Sequence, residues 1–449
     1  MFLIILIGKV IIYASRLLNI GNGGTWPGEI ALHFYPKVFS YFAGQINKSL
    51  ILVAGTNGKT TTSKLIKHIL IQSGTDPKKI IHNESGANLV NGLISSFIQN
   101  SSLTGKIYCD CAIFEVDEAS LSQVLEQLTN FRKKLVVVLL NLFRDQLDRY
   151  GEVDTIAGKW SRYLQKLQGD FSVVLNGDDP QIAYLGNSVL GKKYFFGINK
   201  PEKFLKTGEH ATDSTYCLNC SHKLQYKGIY FSHIGIWFCP NCPAERPTPQ
   251  ISGWRSSLLG LYNEYNTLAA VGVAKILAIL DKEIKRSLNN FKPAFGRQEE
   301  YNIAGKKIKI FLAKNPAGFN ASLRTVLENK PKTILLVLND RIPDGRDVSW
   351  IWDVDFEMIP KSVKVIVSGE RVYDMALRIK YKMKPACAGR QSNNPPTGGQ
   401  MKQLIVCEDL KKAINTGLKS INKSDTLFIL PTYSAMLEVR KILGGRKIL

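Results

Sequence analysis

Residues 51–62 have the sequence I-L-V-A-G-T-N-G-K-T-T-T, and the prediction of the fold starts from them. Residues 51–54 are apolar and partly β-branched, which predicts a buried strand. Residues 55–58 follow as a loop without bulky side chains. From Lys59 onward the apolar residues have helical spacing, namely Leu65, Ile66, Ile69 and Leu70. The stretch therefore predicts a strand, a glycine-containing loop and a helix in direct succession.

A loop of this kind between a strand and a helix is typical of a phosphate-binding site. Backbone N–H groups and the helix N-terminus face the anion, the Lys59 ammonium reaches the terminal phosphates, and the Thr60 hydroxyl can bind Mg²⁺. The spacing is shorter than in the common G-x-x-x-x-G-K-[ST] loop, so the motif is a variant, and a turn that merely favours glycine is the alternative. The residues predicted to bind a nucleoside triphosphate here are Gly55, Thr56, Asn57, Gly58, Lys59, Thr60 and Thr61.

Three further apolar runs predict strands of the same sheet, at residues 112–116, 135–140 and 171–176. Because helical patterns separate the strands, we expect an α/β fold with a doubly wound, mostly parallel sheet. Glu115 lies near the carboxyl end of its strand, at the edge where such sheets bind ligands. A carboxylate opposite a phosphate-binding loop suits Mg²⁺, so Thr60 and Glu115 are the predicted magnesium ligands.

The charge of the chain restricts its partners. Among 449 residues, 59 are lysine or arginine and 37 are aspartate or glutamate, which gives a net charge of +22. Such a charge favours nucleic acid, an anionic membrane surface or a phosphate-rich substrate. No RNA- or DNA-binding motif accompanies the charge, and this favours the membrane surface and the substrate.

Four of the eight cysteines form the pattern C-x2-C-x18-C-x2-C, at Cys217, Cys220, Cys239 and Cys242. This spacing is typical of a structural zinc site with four thiolate ligands. No secretory signal is recognisable, so we expect a reducing cytoplasm, and two disulfides are the less favoured alternative. The other four cysteines show no metal-binding spacing; they are Cys109, Cys111, Cys387 and Cys407.

The remaining segments complete the predicted organisation. Residues 1–20 are apolar but contain Lys9 and Arg16, which favours an amphipathic helix that packs on the protein or touches the membrane surface. Residues 198–250 interrupt the α/β alternation and predict a zinc ribbon, and residues 252–280 predict a long helix. A second α/β unit follows. Its strands are predicted at residues 309–312, 333–338, 363–367, 404–406 and 426–430, with helices near Leu323, Ala376, Ala413 and Leu437.

These segments predict three parts. An N-terminal helical and turn segment covers residues 1–48, and a central ATP-binding domain covers residues 49–296 with the ribbon inserted at about residues 205–248. A C-terminal Rossmann-like α/β domain covers residues 297–449.

The motifs together resemble those of the Mur ligase family, ATP-dependent enzymes that join an amine to a carboxylate through an acyl phosphate. The matching motifs occur in the order of the family: residues 55–61, Glu115, the loop at 141–150, L-N-G-D-D-P at 175–180, Asn263 with Asn266, and Gly296 with Arg297. Within the family, three features resemble the synthetase subunits of the lipid II isoglutaminyl synthases. They are the inserted four-Cys ribbon, the loop N-L-F-R-D-Q-L-D-R-Y-G-E, and a C-terminal domain that contains D-G-R-D-V-S-W-I-W-D and P-T-Y-S-A-M.

The resemblance implies a reaction and the groups that carry it. The reaction would be ATP-dependent amidation of the α-carboxylate of D-glutamate in the lipid II stem peptide, through an acyl phosphate. A partner glutaminase of the GatD type would supply ammonia within a heterodimer. Besides the loop, Asn263, Asn266, Arg297 and Lys314 would bind ATP, and Lys59, Arg297 and Mg²⁺ would stabilise the transferred phosphoryl group. A membrane-anchored pyrophosphate substrate would also suit the positive charge.

The chain departs from the family pattern at several positions. Several Mur ligases have a metal-binding histidine in the loop after the third strand, where this chain has Gln146, and the usual histidine before the first asparagine of the adenine motif is Tyr262. The C-terminal domain shows no evident pocket for an incoming amino acid, which fits ammonia as the acceptor. Residues 385–400 form a polar insertion to which we assign no function.

The segment at residues 347–353, D-V-S-W-I-W-D, predicts a docking surface for the glutaminase, since two carboxylates flank two tryptophans. A glutaminase with a Cys nucleophile and a His base needs a third group that orients the base. The resemblance implies that this chain provides that group, with Asp353 as the first choice and Asp347 as the second. The alternative is that both aspartates cap turns and the tryptophans fill the core.

Two other functions stay open at this stage. One is a different Mur-type amide ligase, such as a folylpolyglutamate-synthase-like enzyme, which would add an amino acid without a glutaminase. The other is a non-catalytic zinc protein that binds nucleic acid through its basic charge.

Overall fold

The computed structural model describes residues 2–17, 24–83, 86–144, 153–210, 212–292, 297–382 and 404–444. In this part of the chain the strands form two six-stranded sheets and one hairpin. The helices are α1 (Phe2–Leu17), α2 (Trp26–Phe34), α3 (Val38–Ala43), α4 (Lys59–Gln72), α5 (Val90–Asn100), α6 (Glu118–Glu126), α7 (Val153–Leu164), α8 (Pro180–Leu185), α9 (Leu261–Ile276), α10 (Asp281–Asn289), α11 (Pro316–Glu328), α12 (Val372–Lys382), α13 (Leu410–Lys419) and α14 (Tyr433–Ile442). The strands are β1 (Ser49–Ala54), β2 (Ile80–His82), β3 (Cys111–Val116), β4 (Lys134–Leu139), β5 (Phe171–Asn176), β6 (Lys192–Phe196), β7 (Gln225–Phe231), β8 (Ile234–Phe238), β9 (Arg297–Ile303), β10 (Lys306–Phe311), β11 (Thr333–Val337), β12 (Lys364–Ser368), β13 (Leu404–Val406) and β14 (Thr426–Pro431).

The first sheet has the strand order β2-β3-β1-β4-β5-β6, and all of its strand pairs are parallel. The order reverses beside β1, which lies between β3 and β4. In doubly wound sheets this reversal opens a crevice at the carboxyl ends of the strands, where ligands bind. The predicted parallel sheet is confirmed, and the glycine-containing loop lies at this crevice.

Helices cover both faces of the first sheet. Leu50 and Leu52 of β1 pack in a core with residues of α1, α2, α3, α5, α6 and α7, and Ile51 and Val53 pack in a second core with residues of α4, α9 and α10. All six residues of β1 are buried. This is expected of a parallel strand covered on both faces, and it explains why residues 51–54 are uniformly apolar.

The N-terminal helix α1 confirms the predicted helix but not its amphipathic character. Ile5 and Ile12 are buried against the first domain, whereas Val10 and Tyr13 are exposed. The exposed face is therefore apolar as well. Among the described helices, none is both long enough and apolar enough to cross a membrane.

The second sheet has the order β13-β12-β11-β14-β10-β9, and only β9 runs antiparallel to its neighbour. The five predicted strands and four predicted helices of this unit are confirmed. Strand β9 was not predicted, because its sequence, R-Q-E-E-Y-N-I, has no apolar run. It lies at the edge of the sheet and pairs on one side only. The insertion at residues 385–400 lies outside the described residues.

Residues 198–250 contain the antiparallel hairpin β7–β8, as expected for a ribbon. The long helix predicted for residues 252–280 is wrong in its first third, because α9 begins only at Leu261. Gly253 and Gly260 have φ values of +77° and +87°, a conformation that no helix contains. The boundary predicted at residue 296 stays a prediction, since residues 293–296 lie outside the described part.

Candidate functional site

A cleft of about 400 Å³ opens at the carboxyl edge of the first sheet. Its walls come from the loops after β1, β3 and β4, from helix α9, and from the C-terminal sheet domain. The polar residues that line it include Lys59, Thr60, Glu115, Glu118, Asn141, Asn263, Asn266 and Lys314. The fold thus brings together residues that the sequence places in five separate segments.

Two glycines give the loop after β1 its shape. Gly55 and Gly58 have φ values of +134° and +94°, which L side chains rarely adopt. A Cβ atom on Gly58 would lie 2.0 Å from Oδ1 of Asn266, and one on Gly55 would lie 3.0 Å from the backbone of Asn141. The loop therefore needs glycine for its conformation and for its close contact with two neighbouring segments.

Asn141, the first residue after strand β4 and its Leu140 extension, holds this loop. Its Oδ1 accepts a hydrogen bond from the Asn57 N–H at 2.8 Å, and its Nδ2 donates to the Asn57 carbonyl at 3.0 Å. The Thr56 hydroxyl is bonded to the Phe143 backbone, from whose N–H it accepts at 3.0 Å. These bonds pre-organise the backbone that would face the phosphates.

Lys59 is buried at the first turn of α4 and paired with a carboxylate. Its Nζ donates to Glu118 Oε2 at 2.9 Å and to the Gly55 carbonyl at 2.6 Å. Burial by itself raises the pKa of Glu118, but the ammonium groups of Lys59 and Lys314, with the hydrogen bond from Lys59, hold the pKa below its ordinary value. Glu118 was not predicted as a site residue, although it follows Glu115 by three positions at the same sheet edge.

Glu115 lies where a magnesium ligand is expected. Its Oε2 accepts a hydrogen bond from the Thr60 hydroxyl at 2.6 Å, and its Oε1 accepts one from the Ser63 hydroxyl at 3.1 Å. The backbone N–H of Glu115 donates to Asn83 Oδ1 at 2.9 Å, which fixes the strand end. A hydroxyl and a carboxylate in contact beside a phosphate loop are the oxygen ligands that Mg²⁺ prefers, so these residues fit the ion.

Helix α9 forms the wall assigned to adenine. Asn266 Nδ2 donates to Asn263 Oδ1 at 3.0 Å, and Asn263 Nδ2 donates to the Leu259 carbonyl at 2.7 Å. The Tyr262 hydroxyl, which stands where the family usually has histidine, accepts a hydrogen bond from Gln298 Nε2 at 3.1 Å. Gln298 also donates to the Leu259 carbonyl, so the start of β9 is tied to this wall.

The C-terminal domain closes the cleft from the opposite side. Asn315, which caps helix α11, exchanges two side-chain hydrogen bonds with Asn57 of the loop, at 3.1 and 3.2 Å. Lys314 precedes it and lines the cleft. The Arg297 side chain and Gln146 lie outside the described part, so their predicted roles stay predictions.

The four ribbon cysteines come together as predicted. Their Sγ atoms all lie within 4.8 Å of one another, with 3.6 Å between Cys217 and Cys242 and 3.4 Å between Cys220 and Cys239. A tetrahedron with Zn–S bonds of about 2.3 Å has edges of about 3.8 Å. The thiol cluster therefore fits one zinc ion, and four cysteine ligands would leave no open position for a substrate.

The ribbon is attached to the nucleotide domain through Asp178, one of two buried aspartates in the N-G-D-D-P turn. Asp178 accepts hydrogen bonds from Arg246 Nε and the Tyr265 hydroxyl, both at 2.6 Å. Asp179 accepts one from the Leu142 N–H at 3.0 Å. Burial raises the pKa of Asp178 in spite of the Arg246 charge. The motif was recognised in the sequence, but its attachment to the ribbon was not.

The segment at residues 347–353 lies outside the cleft. Both oxygens of Asp347 accept hydrogen bonds from Ser349, each at 2.8 Å, so this aspartate caps a turn. Within the described residues no hydrogen bond or ion pair engages the half-buried Asp353 carboxylate. Trp350 packs against the core, whereas Trp352 is exposed. The turn-capping alternative thus applies to Asp347, and an exposed aromatic group lies beside Asp353.

Comparison with known proteins gives consistent matches along the chain. A family model described as the Mur ligase middle domain matches residues 53–274, and one described as MurT ligase C-terminal matches residues 312–436. The MurT subunit of the lipid II isoglutaminyl synthase (glutamine-hydrolyzing) of Streptococcus pneumoniae is 31% identical over 455 residues, which cover 96% of this chain and 95% of that one. The same subunit of Staphylococcus aureus is 34% identical over 388 residues, 82% of this chain and 84% of that one.

Among solved structures, the pseudomurein peptide ligase type C of Methanothermus fervidus matches with a TM-score of 0.62. The match covers 89% of this chain and 79% of that one at 22% identity. At this identity the similarity establishes a shared fold.

Proposed function

The chain belongs to the Mur ligase family, within its MurT group, and on this premise we propose that it amidates lipid II as the synthetase subunit of a glutamine-dependent synthase. The enzyme is an ATP-dependent carbon–nitrogen ligase. The observation that carries the proposal is the relation to two MurT subunits over most of the chain, and the cleft that gathers the predicted phosphate-binding residues supports it.

The proposed reaction has two steps. A carboxylate oxygen of D-glutamate attacks the γ-phosphorus of ATP, and the bond from this phosphorus to the ADP oxygen breaks to give an acyl phosphate. The nitrogen of ammonia then attacks the acyl carbon, phosphate leaves and the nitrogen loses a proton. Activation is needed because a carboxylate has no acceptable leaving group for direct attack by ammonia.

The residues of the cleft would act mainly by position and charge. The Lys59 ammonium would leave part of its contact with the Gly55 carbonyl and Glu118 to bind the β- and γ-phosphates. Thr60 and Glu115 would hold Mg²⁺, which neutralises phosphate charge when it is bound. Asn263, Asn266 and Lys314 line the same cleft and would surround the rest of the nucleotide. Arg297 would add a second cation.

We propose that a separate glutaminase supplies the ammonia, as the names of the MurT relatives imply for those proteins. The exposed aromatic and aliphatic residues around Asp353 support a docking surface in the C-terminal domain. Trp352 contacts the ring of Tyr381 at 5.6 Å between centroids, and Tyr373, Leu377 and Tyr381 follow one another at four-residue spacing on the exposed side of α12. Aromatic anchors of this kind dominate many protein interfaces.

A reconstituted reaction tests this function. The purified chain, a GatD-type glutaminase, ATP, Mg²⁺, glutamine and detergent-solubilised lipid II should yield amidated lipid II, which mass spectrometry detects as a loss of about 1 Da per carboxylate converted. Omission of ATP or of this chain should abolish the product. Ligation of free glutamate without a glutaminase would instead support the folylpolyglutamate-synthase-like alternative.

A further inference from the structure

We propose that the exposed face of α1, together with Trp26 at the start of α2, binds an anionic membrane surface. The residues of this N-terminal apolar face are Phe2, Leu3, Ile7, Val10, Tyr13 and Trp26. The proposal assigns a role to helix α1, which takes no part in the reaction itself. Its functional consequence, though not the binding itself, rests on the proposed function.

The first observation is that α1 is apolar on both of its sides. Ile5 and Ile12 are buried against the first domain, and the backbone at Gly8 lies so close to it that a Cβ atom would be 3.0 Å from Ile98. On the opposite side Val10 is 58% exposed and Tyr13 is 70% exposed. A helix that is apolar all round is expected to be covered on both sides.

The second observation is that the N-terminal part of the chain holds a large share of the exposed apolar side chains. Of the 23 large hydrophobic side chains that are exposed among the described residues, nine belong to the first 41 residues. Aliphatic side chains on α1 lie beside exposed aromatic ones, and Trp26 is 70% exposed. Tryptophan and tyrosine next to aliphatic residues are typical of elements that lie in the membrane–water interface.

The third observation is the net positive charge of the N-terminal segment, which complements anionic lipid. Residues 1–48 contain Lys9, Arg16, Lys37 and Lys48 against a single acidic residue, Glu29. Basic residues near the surface of an anionic membrane each contribute attraction that adds to the burial of apolar side chains. A face covered by a second copy of the chain would gain nothing from this charge, because like charges would oppose each other.

The position of the face relates it to the cleft. Gly86 and Asn88 line the cleft, and helix α5 begins two residues later. In its first turn, Asn91 touches Gly28 of α2 so closely that a Cβ on Gly28 would lie 1.8 Å from the Asn91 carbonyl oxygen. Membrane contact at Trp26 and α1 would therefore hold one wall of the cleft near the lipid surface, where a lipid-anchored acceptor resides.

Vesicle binding tests the proposal. The full chain would be sedimented with vesicles of phosphatidylglycerol and phosphatidylcholine and, separately, with vesicles of phosphatidylcholine alone. We expect binding to the anionic vesicles and at least about tenfold weaker partitioning of the double variant Val10→Asn/Tyr13→Asn, because it replaces two exposed apolar side chains. High salt should weaken the binding of the wild-type chain.

A matched control replaces two equally exposed apolar residues elsewhere. Tyr108 is 75% and Leu190 is 81% exposed, so Tyr108→Asn/Leu190→Asn removes similar surface without a charge change and should bind like the wild type. Equal loss in both double variants, or no vesicle binding by the wild-type chain, would overturn the proposal. So would self-association in size-exclusion chromatography that the Val10/Tyr13 variant abolishes while vesicle binding stays unchanged.

Amidation assays separate this proposal from the proposed function. The Val10→Asn/Tyr13→Asn variant should amidate detergent-solubilised lipid II at the wild-type rate but lose activity on lipid II embedded in anionic vesicles. If the wild-type chain amidates in detergent yet does not bind vesicles, the membrane proposal fails and the function stands. If it binds vesicles but amidates nothing, the function fails and the membrane proposal stands.

Discussion

Lys59 shows how neighbouring residues position a buried charged side chain at this site. Among the described residues it is the one buried lysine, and the carboxylate of Glu118 compensates its charge at 2.9 Å. A buried charge without such a partner would cost several kcal/mol, about 3–5 when one partner of a buried pair is removed. Glu118 therefore holds the Lys59 side chain near the loop, and in the proposed reaction phosphate would replace part of this contact.

The phosphate-binding assignment predicts loss of activity in three variants. Lys59→Ala and Glu115→Ala should each reduce ATP-dependent amidation by about 10²–10³-fold or more, since each removes charge compensation for the transferred phosphoryl group. Thr60→Ala should weaken Mg²⁺ dependence in the same assay. Lys78→Ala, an exposed lysine of the same domain, should keep full activity. Wild-type turnover in any of the three site variants would refute the assignment.

Gly58 allows a sharper test of the loop geometry. In Gly58→Ala the new Cβ would meet Asn266 at 2.0 Å, so we expect loss of ATP binding, measured by isothermal titration calorimetry. Gly74 provides the control, because its φ of +97° is similar but nothing lies within 4 Å of its Cβ position. Gly74→Ala should cost about 1–2 kcal/mol of stability through strain alone and leave ATP binding intact. Equal ATP affinity in both variants would contradict the close contact.

At the scale of elements, the inserted ribbon connects the two sheet domains. Through Asp178 and Arg246 it is bonded to the nucleotide domain, and Glu209 pairs with Arg324 of helix α11 in the C-terminal domain. Burial lowers the pKa of Arg324 to about 10, although the charges of Asp355 and Glu328 oppose this. The ribbon thus acts as a structural bridge between the domains and also carries the four-cysteine cluster.

The zinc assignment predicts one zinc per chain in elemental analysis and a structural role. Cys217→Ser should lose the metal and lower the melting temperature by several degrees before it alters the amidation rate, because a closed four-thiolate site contributes folding energy. Cys407→Ser, outside the cluster, should retain the zinc. A metal-free protein with wild-type stability and activity would refute the structural zinc site.

The contact between His210 of the insertion and Asp355 predicts a pH dependence. The hydrogen bond to Asp355, then its negative charge, raises the pKa of His210; Glu357 acts in the same direction, and Arg378 and desolvation oppose it. Protonated His210 therefore stabilises the contact fully below the ordinary pKa of about 6.5, and this stabilisation is lost as pH rises through the raised pKa.

Thermal unfolding at several pH values checks that the stabilisation by this contact decreases as pH rises. The melting temperature of His210→Asn should fall furthest below that of the wild type near pH 5.5, and the difference should shrink toward pH 9. Asp355→Asn should remove the same pH-dependent component. A difference that grows with pH would show that the sign is wrong.

At the scale of the whole molecule, the two domains enclose the nucleotide cleft, and the proposed glutaminase surface lies outside it. Asn57 and Asn315 join the domains across the cleft, whereas Trp352 and α12 are not part of its lining. Ammonia released at a partner bound there would have to reach the cleft through or along the C-terminal domain. In the proposed complex, this arrangement would separate glutamine hydrolysis from carboxylate activation.

Asp353 allows the two half-reactions to be separated in a reconstituted complex. Asp353→Asn should abolish glutamine-driven amidation, keep activity with added ammonium chloride and leave association of the subunits intact, since it would remove only the group that orients the glutaminase histidine. Asp347→Asn is the matched variant and should keep glutamine-driven activity, because both Asp347 oxygens already serve Ser349. Glutamine-driven activity in both variants would disprove a shared site.

The sequence by itself determined the elements that are specified by residues close together in the chain. Residues 51–62 predicted strand, loop and helix because backbone preference and apolar spacing are encoded within a dozen positions. The spacing of Cys217, Cys220, Cys239 and Cys242 predicted the thiol cluster for the same reason. Even Glu115 could be placed, because all carboxyl ends of parallel strands meet at one edge.

Only the tertiary structure decided the contacts between distant segments. The pairing of Lys59 with Glu118 and the bond between Asn57 and Asn315 across 258 positions have no local signal, and neither does the Asp353 carboxylate, which none of the described residues engages. The same holds for the exposed side of α1, whose sequence is apolar apart from Lys9, Ser15 and Arg16. Which side is buried depends on the domain that packs against it, because burial is a property of the assembled surface and not of the helix.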